Sequence, residues 1–337
     1  MEARTGVLLI NLGTPDSPST KDVRSYLFQF LNDKRVIDLP WLSRKLLVNG
    51  IIVPFRAPKS AKIYQELWTE QGSPILTHTK NLSKKLQDSL GERYYVDYAM
   101  RYKNPSIPSV LEEFRQKNLE QIIVIPLYPQ HASSSTTSTM EAVMDALKKW
   151  WVIPEISIVS QFHKEGFYLD AFAEKGKEHN LSDYDHVVFS FHGLPIRQVD
   201  KAHLNGKCDS SCKEKITAEN QLCYHAACYE TTRELVSRLN LKETDYTVSF
   251  QSRLDDKWLK PYSDKVIEER AKMGDKKLLI FSPAFIADCL ETTIEIGVEY
   301  QEIFEAHGGE KVQLVESLND NTTWVEGLKQ MVLKRSI

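Results

Sequence analysis

The sequence predicts an α/β protein made of two similar doubly wound domains with parallel sheets. The chain has 337 residues, which suggests two domains of about 150 residues each. Short apolar, β-rich runs alternate with amphipathic helical stretches, and this alternation occurs in both halves. We therefore expect an N-terminal domain over 1–155, a C-terminal domain over 156–319, and a helix at 320–335 that packs back on the first domain.

Three strands and two helices are predicted in the first half. The strands are Gly6–Asn11, Tyr94–Met100 and Gln121–Leu127. One helix begins near Ser19 or Thr20, whose hydroxyl can cap it, and another spans Ile107–Gln116. Trp150–Ile158 is the expected junction between the domains.

Three strands and four helices are predicted in the second half, by the same apolar periodicities. The strands are His186–Phe191, Tyr246–Phe250 and Lys277–Phe281. The helices are Tyr224–Leu239, Ser263–Met273, Leu290–Ala306 and Asn321–Leu333.

Composition excludes several classes of function. The formal net charge of −3 argues against a nucleic-acid-binding protein. No apolar run reaches the ~18 residues of a membrane span, and no signal-peptide pattern is visible, so a cytoplasmic location is expected. The apolar segment Trp41–Phe55, around a predicted Asn49-Gly50 turn, is either core or a lip for a flat apolar ligand or a membrane surface.

Open α/β sheets bind ligands beyond the carboxyl ends of their strands, so polar residues at those points are candidates. Three sets qualify: Asn11–Thr14, Gln130–Thr139 and Ser190–Pro195. The first lacks the glycines of a dinucleotide site. The second is a hydroxyl-rich loop that either holds a carboxylate or phosphate or simply caps a helix.

His192 in the third set ends an apolar strand, and Gly193 follows it. Its imidazole can therefore face a cleft, where it would act as a base or a metal ligand. The alternative is a histidine that only satisfies a nearby backbone group.

Four acidic residues line one face of the helix after Pro283: Asp288, Glu291, Glu295 and Glu299. A solvated acidic stripe is the ordinary interpretation. However, the apolar residues before Asp288 place the first acids at the mouth of a core strand, where carboxylates need a cation or raised pKa values. Fe²⁺ would meet that need, because it accepts oxygen and imidazole ligands.

Four of the five cysteines fall in one polar segment: Cys208, Cys212, Cys223 and Cys228. Without an export signal, such a group indicates a metal site rather than disulfides. Four thiolates can hold Zn²⁺ or a [2Fe–2S] cluster, and the spacing does not decide between them. Cys289 stands apart and is expected to be a core residue.

Along nearly its whole length the chain resembles the ferrochelatase family. The segments that carry the resemblance are Asn11–Pro15, Arg56–Lys59, Gly72–Pro74, Arg101–Tyr102, Tyr128–Gln130, Ser190–Pro195, Phe250–Arg253 and Phe285–Glu295. Their shared order is more specific than any one of them.

The resemblance implies two Rossmann-like domains with a porphyrin cleft between them, and insertion of Fe²⁺ into protoporphyrin IX to form haem. It implies that His192 and Glu291 face each other across the macrocycle, the histidine as base, metal ligand or both. Asp288, Glu295 and Glu299 match an acidic path for metal or protons. The positions that match porphyrin contacts are Leu12, Arg56, Tyr64, Ser73, Arg101 and Tyr102. The family also implies a π-type turn in the acidic helix.

The insertion at 203–228 resembles that of bacterial members that hold a [2Fe–2S] cluster on four cysteines, with structural Zn²⁺ as the alternative. A homodimer and a peripheral contact with the inner face of a membrane are further expectations. Leu12 favours protoporphyrin over coproporphyrin, because coproporphyrin-using members tend to have tyrosine there. The competing hypotheses are a coproporphyrin or other tetrapyrrole chelatase, and a non-catalytic haem- or metal-binding protein.

Overall fold

The computed structural model describes residues 4–204 and 206–337. Met1–Ala3 of the expected N-terminal domain and Asn205 of the insertion lie outside the described residues. The chain forms two compact units. The first comprises the described residues up to Tyr128 together with Ser133–Gln161 and Asn319–Ile337, and the second comprises Pro129–Ala132 and Phe162–Leu318.

The first unit is built on a parallel sheet of four strands in the order β2-β1-β3-β4. The strands are β1 (Thr5–Gly13), β2 (Tyr94–Tyr102), β3 (Gln121–Pro126) and β4 (Glu155–Ile158). The three strands predicted for this half are confirmed. The fourth was not predicted; it lies in the segment expected to join the domains and extends the first sheet beside β3.

Helices cover the first sheet. They are α1 (Thr20–Leu31), α2 (Trp41–Leu47), α3 (Val53–Leu67), α4 (Pro74–Leu90), α5 (Ile107–Gln116) and α6 (Ser138–Leu147). Ser19 caps α1 through a 3.2 Å bond to the Asp22 amide, as predicted. Apolar side chains of α5 and α6 pack against those of β1 and β3 in a continuous core.

Two predicted irregular segments are helical instead. Val48–Ile52 forms a π-helical segment between α2 and α3, so the prediction of an Asn49-Gly50 turn is wrong. The side-chain oxygen of Asn49 accepts a 2.8 Å hydrogen bond from the Asn32 side chain. It therefore does not form the hydrogen bonds to nearby backbone groups that favour a turn. The hydroxyl-rich loop prediction is also wrong over Ser133–Thr137, which is a π-helical segment leading into α6.

The second unit repeats the arrangement with the order β6-β5-β7-β8. Its strands are β5 (His186–His192), β6 (Tyr246–Gln251), β7 (Lys277–Phe281) and β8 (Lys311–Leu314). Its helices are α7 (Gly166–Lys177), α8 (Ile196–Asp200), α9 (Ser211–Glu214), α10 (Tyr224–Leu239), α11 (Ser263–Met273) and α12 (Gln301–Ala306). Short 3₁₀ turns occur at Leu181–Asp183 and Glu243–Asp245, and a π-helix spans Glu291–Tyr300. The doubly wound fold class is confirmed for both units.

The C-terminal helix α13 (Thr322–Leu333) belongs to the first unit and packs against α4. Polar contacts also connect the residues on either side of this helix to the first unit. Lys85 Nζ lies 2.6 Å from the carboxylate of Asp320, and the side chain of Gln121 donates a 2.7 Å bond to the carbonyl of Arg335. None of the described helices is long and apolar enough to cross a membrane.

Two buried histidines of the second unit predict acid sensitivity. Burial disfavours the imidazolium and lowers the pKa of His163 and of His186 to about 4, whereas both titrate near 6.5 in an unfolded chain. The unfolded state therefore binds more protons below pH 6.5. We expect the free energy of unfolding to be maximal above that pH and to decrease as the pH falls toward 4, by up to about 1.4 kcal/mol per pH unit for each histidine.

Urea unfolding at pH 7 and pH 5 measures this effect. His163→Leu should show a smaller loss of stability between the two pH values than the parent chain does. The matched control is His307→Leu, because His307 lies near the surface beside Glu268. An equal loss in all three proteins would contradict the assignment.

Candidate active site

His192 is the last residue of β5 and is half-buried. Its Nδ1 lies 2.7 Å from the carbonyl oxygen of Gly193. A carbonyl only accepts hydrogen bonds, so this contact assigns the proton to Nδ1 and leaves the lone pair of the neutral ring on Nε2. Histidines that bind metals or accept protons are oriented in this way.

The backbone at His192 is held from two sides. Gly193 donates a 2.8 Å bond to the carbonyl of Gln251, and a Cβ at position 193 would lie only 2.8 Å from that same oxygen. The hydroxyl of Tyr224 donates a 2.8 Å bond to the carbonyl of His192. The strand end is therefore fixed by close packing that requires glycine and by a helix residue.

Two aromatic rings flank the imidazole. The ring centroid of Phe285 lies 6.2 Å from that of His192, and the centroid of Trp258 lies 6.5 Å from it. A β-bridge joins Trp258 to Pro195, which follows His192 closely in the sequence. This bridge holds the Trp258 ring near the imidazole.

The acidic helix begins at Glu291 as a π-helix, which confirms the π-type turn that the resemblance implied. Glu291 is half-buried in its first turn. Burial and the nearby negative charge of Glu291 raise the pKa of Cys289 well above its usual value. Cys289 is thus a buried core thiol, as expected.

Glu295 differs from the other acids because four donors already occupy its carboxylate. They are the Ser252 amide at 2.9 Å, the Ser252 hydroxyl at 2.5 Å, the Gln251 amide group at 3.1 Å and the Tyr300 hydroxyl at 3.2 Å. Burial and the charge of Glu295 raise the pKa of Tyr300, which keeps its hydroxyl protonated as a donor. Glu295 therefore joins the π-helix to the end of β6.

Asp288 precedes the helix, so the prediction that all four acids line one helix face is wrong for this residue, whereas Glu299 lies near the end of the π-helix. Asp288 accepts from the Ser317 amide and from the Thr292 hydroxyl, each at 3.3 Å. Glu299 is on the outer face, and its pKa is raised by partial desolvation and then by the charges of Glu295 and Glu302. The four acidic residues thus extend from the half-buried Asp288 to the exposed Glu299.

Gln251 connects the strand ends with the π-helix. It faces His192 in the β5–β6 register. Its amide nitrogen donates to the Glu291 carbonyl at 3.2 Å, and its oxygen accepts a 2.8 Å bond from Ser190. Because Gln251 is almost fully buried, these bonds are well shielded from water and fix Glu291 relative to the end of β5.

The six predicted porphyrin-contact residues all belong to the first unit. Four of them lie at the carboxyl edge of its sheet or beside it: Leu12 is the next-to-last residue of β1, Arg101 and Tyr102 end β2, and Ser73 accepts a 2.8 Å bond from Thr14. The other two, Arg56 and Tyr64, lie on α3. Gly13 is required at this edge, because its φ is 109° and a Cβ would lie 2.0 Å from the Tyr102 carbonyl oxygen.

Burial separates these six residues. Arg56 is exposed and Leu12 is half-buried, whereas Tyr64, Ser73 and Tyr102 are buried.

Asp33 accepts hydrogen bonds from two of these residues, from Arg101 at 2.6 Å and from Tyr102 at 2.9 Å. Burial and the charge of Asp33 raise the pKa of Tyr102. Arg101 also lines a cavity of about 450 Å³ with Asp33 and Glu141.

The insertion brings four potential metal ligands together, although not the four that were predicted. One ligand atom from each of His203, Cys208, Cys212 and Cys223 lies within 4.8 Å of the other three. Cys228 is outside this group and is fully buried on α10. Sequence reasoning missed His203; the signal was its position five residues before Cys208 in the same polar segment.

Two solved structures resemble this chain in fold. "SirB from Bacillus subtilis with Fe3+" has a TM-score of 0.54 at 11% identity and covers 98% of this chain and 95% of its own. CbiX, described as the terminal enzyme for biosynthesis of siroheme in denitrifying bacteria, has a TM-score of 0.51 at 9% identity, covering 98% and 100%. At these identities the likeness shows the fold alone. That fold is one of two parallel α/β units.

The family model described as ferrochelatase matches residues 4–336. The ferrochelatase of Legionella pneumophila (strain Paris) is 42% identical over 330 residues, covering 98% of both chains. That of Coxiella burnetii (strain Dugway 5J108-111) is 41% identical over 339 residues, covering 98% of this chain and 94% of its own. The chain belongs to the ferrochelatase family.

Proposed function

We propose that this chain inserts Fe²⁺ into protoporphyrin IX and so forms haem. Family membership supports insertion of iron into a porphyrin. The observation that carries the proposal is the 2.7 Å contact between His192 Nδ1 and Gly193, which leaves the Nε2 lone pair available. Insertion releases two pyrrole protons, so a base beside the ring is required.

The proposal gives His192 and Glu291 the catalytic and metal-binding roles. An imidazole nitrogen and a carboxylate are both suitable donors to ferrous iron. The bonds from Gln251 to the Glu291 carbonyl and from Tyr224 to the His192 carbonyl support fixed positions for both residues, which reduces reorganisation during the reaction.

The acidic path is proposed to run through Asp288, Glu295 and Glu299. The raised pKa of Glu299 supports proton transfer at its outer end, because a carboxyl that titrates closer to neutrality exchanges protons more readily. The four donors on Glu295 support a positioning role for that residue within the path.

Porphyrin is proposed to contact the carboxyl edge of the first sheet and α3. The residues proposed for this contact are Leu12, Arg56, Tyr64, Ser73, Arg101 and Tyr102. The exposed guanidinium of Arg56 suits a propionate, and the half-buried side chain of Leu12 suits an apolar part of the ring. Leucine at position 12 supports protoporphyrin over coproporphyrin, which carries more propionates.

The test is anaerobic loss of porphyrin fluorescence on addition of Fe²⁺, with protoporphyrin IX and coproporphyrin III measured in parallel. Rapid loss with protoporphyrin IX and slow loss with coproporphyrin III is expected. The reverse order would overturn the substrate assignment and leave the coproporphyrin alternative. Metallation by Co²⁺ alone would point to another tetrapyrrole chelatase.

We further propose a peripheral contact with a bilayer through the apolar lip formed by α2, the π-helical segment Val48–Ile52 and the start of α3. Its members are all more than half exposed: Trp41, Leu42, Leu46, Ile51 and Phe55. Exposed aromatic and aliphatic side chains beside Lys45 are suited to the boundary between head groups and acyl chains.

Flotation with vesicles that contain anionic lipid tests this contact. The parent chain should float, and the double variant Leu46→Ser, Phe55→Ser should stay with the soluble fraction. If the parent does not float but its mass by light scattering doubles, and the double variant restores the monomer, the lip is a homodimer interface instead.

For the insertion, the resemblance supports a [2Fe–2S] cluster on Cys208, Cys212, Cys223 and Cys228, with Zn²⁺ as the alternative. The geometry does not fit the four-cysteine set, because Cys228 stands outside the group of ligand atoms.

A further inference from the structure

We propose that the insertion between β5 and α10 binds a single Zn²⁺ ion through His203, Cys208, Cys212 and Cys223, and that Cys228 is a core residue and not a ligand. Three thiolates and one imidazole form a common ligand set of closed, structural zinc sites. The proposal is independent of the substrate assignment, because it concerns metal content and not turnover.

The distances within the group match one tetrahedral ion. Cys208 Sγ lies 3.7 Å from Cys223 Sγ, and Cys212 Sγ lies 3.7 Å from His203 Nε2. Two thiolates each bound at about 2.3 Å to one tetrahedral ion are about 3.8 Å apart. These two contacts therefore have the spacing expected for ligands of one tetrahedral ion, and all four ligand atoms lie within 4.8 Å of one another.

The same distances disfavour a two-iron cluster. A [2Fe–2S] centre divides its four ligands into two pairs, one on each iron. Ligands on different irons are separated further by the distance between the two irons. All four ligand atoms here lie within 4.8 Å of one another, which leaves no such division into distant pairs.

Neighbouring polar groups orient the thiolates, as second-shell groups do in metal sites. The Asn220 side chain donates to Cys212 Sγ at 3.6 Å, and the backbone carbonyl of Asn220 accepts a 2.8 Å bond from the Cys223 amide. His225 Nδ1 lies 3.4 Å from Cys208 Sγ. The Cys208 amide donates a 2.8 Å bond to Asp200, which fixes the entry of this segment. The group is therefore supported by its surroundings and is not a chance encounter of thiols.

The position of Cys228 on α10 explains its exclusion. Cys223 is the N-cap of this helix, and Cys228 lies more than one turn further along. Cys223 has an extended backbone whereas Cys228 lies within the helix, and the Cys228 thiol is outside the group of mutually close ligand atoms. Cys228 is completely buried, like the apolar residues around it.

Metal analysis of the purified full-length chain, without added porphyrin, tests the proposal. We expect about one zinc per chain, no visible absorption band, and the spectrum of a tetrahedral thiolate-bound ion after Co²⁺ replacement. Cys212→Ser and His203→Ala should each lower zinc content at least tenfold. His203→Cys should retain zinc, and Cys228→Ala, which keeps a small apolar side chain in the core, should also retain it.

A red-brown protein with two irons per chain that loses colour in Cys228→Ala but keeps it in His203→Ala would overturn the proposal. Absence of any metal, with no binding of Co²⁺ to the reduced chain, would overturn it as well. Both results would leave the fluorescence assay of iron insertion as an independent measurement of the proposed function.

Discussion

Replacing His192 by alanine should lower the rate of iron insertion by about 10²- to 10⁴-fold, the range that a general base contributes. The substitution removes the imidazole whose Nε2 is free because Nδ1 is bonded to Gly193. Porphyrin affinity should change by less than a factor of about three, since the proposed porphyrin contacts lie in the first unit. Anaerobic fluorescence loss measures the rate, and fluorescence titration without metal measures affinity.

His307→Ala is the matched control. Its Nδ1 also lies near a backbone carbonyl, that of Ile303 at 2.9 Å, but His307 follows α12 and is not at a strand end. This variant should keep the parent rate. Weaker porphyrin binding with unchanged turnover in His192→Ala would show that the histidine contributes to binding and not to the reaction.

Glu291→Gln should reduce turnover by a similar factor, of about 10²-fold or more. Glutamine has nearly the same shape and keeps the bond from Gln251 to the backbone carbonyl at position 291. The change therefore removes a negative charge and a proton acceptor without moving the π-helix. The rate should stay low at saturating porphyrin and iron, because the lost interaction belongs to the reaction step.

Glu310→Gln makes the same chemical change at an exposed position just before β8. It should leave turnover within a factor of about two of the parent. Full activity in Glu291→Gln would refute the assignment of Glu291 and return the acidic row to the interpretation as a solvated stripe.

Periodic apolar patterns predicted several elements of the fold closely, although the long helices α3, α4 and α7 were not predicted. Helix α5 was placed at Ile107–Gln116 because buried residues recur there at helical spacing. Strands β4 and β8 were missed because each has only four residues and is mostly exposed or half-buried, which leaves too short a pattern. The period of the apolar residues does not distinguish a π-helix from an α-helix. The π-helix at Glu291–Tyr300 was therefore expected only from the resemblance.

In the candidate site as well, some residues could be predicted from local sequence and others could not. His192 was found because it ends a buried strand, a position that local sequence reveals. The roles of Gln251 and Glu295 depend on hydrogen bonds to residues about 40 positions away, which sequence spacing does not encode. His203 was missed because only the cysteines of this segment were considered as ligands. Asp33 was missed because its partner, Arg101, is 68 residues away.

Both sheets follow one plan, in which the second strand of each set lies at an edge, followed by the first, third and fourth. Such a repeat is what duplication and fusion of one ancestral gene for a four-stranded unit would produce. β5 is then the counterpart of β1, and His192 stands where Gly13 stands in the other half. On this history the two halves kept their architecture and diverged in chemistry, with the imidazole and the acidic helix arising in only one of them.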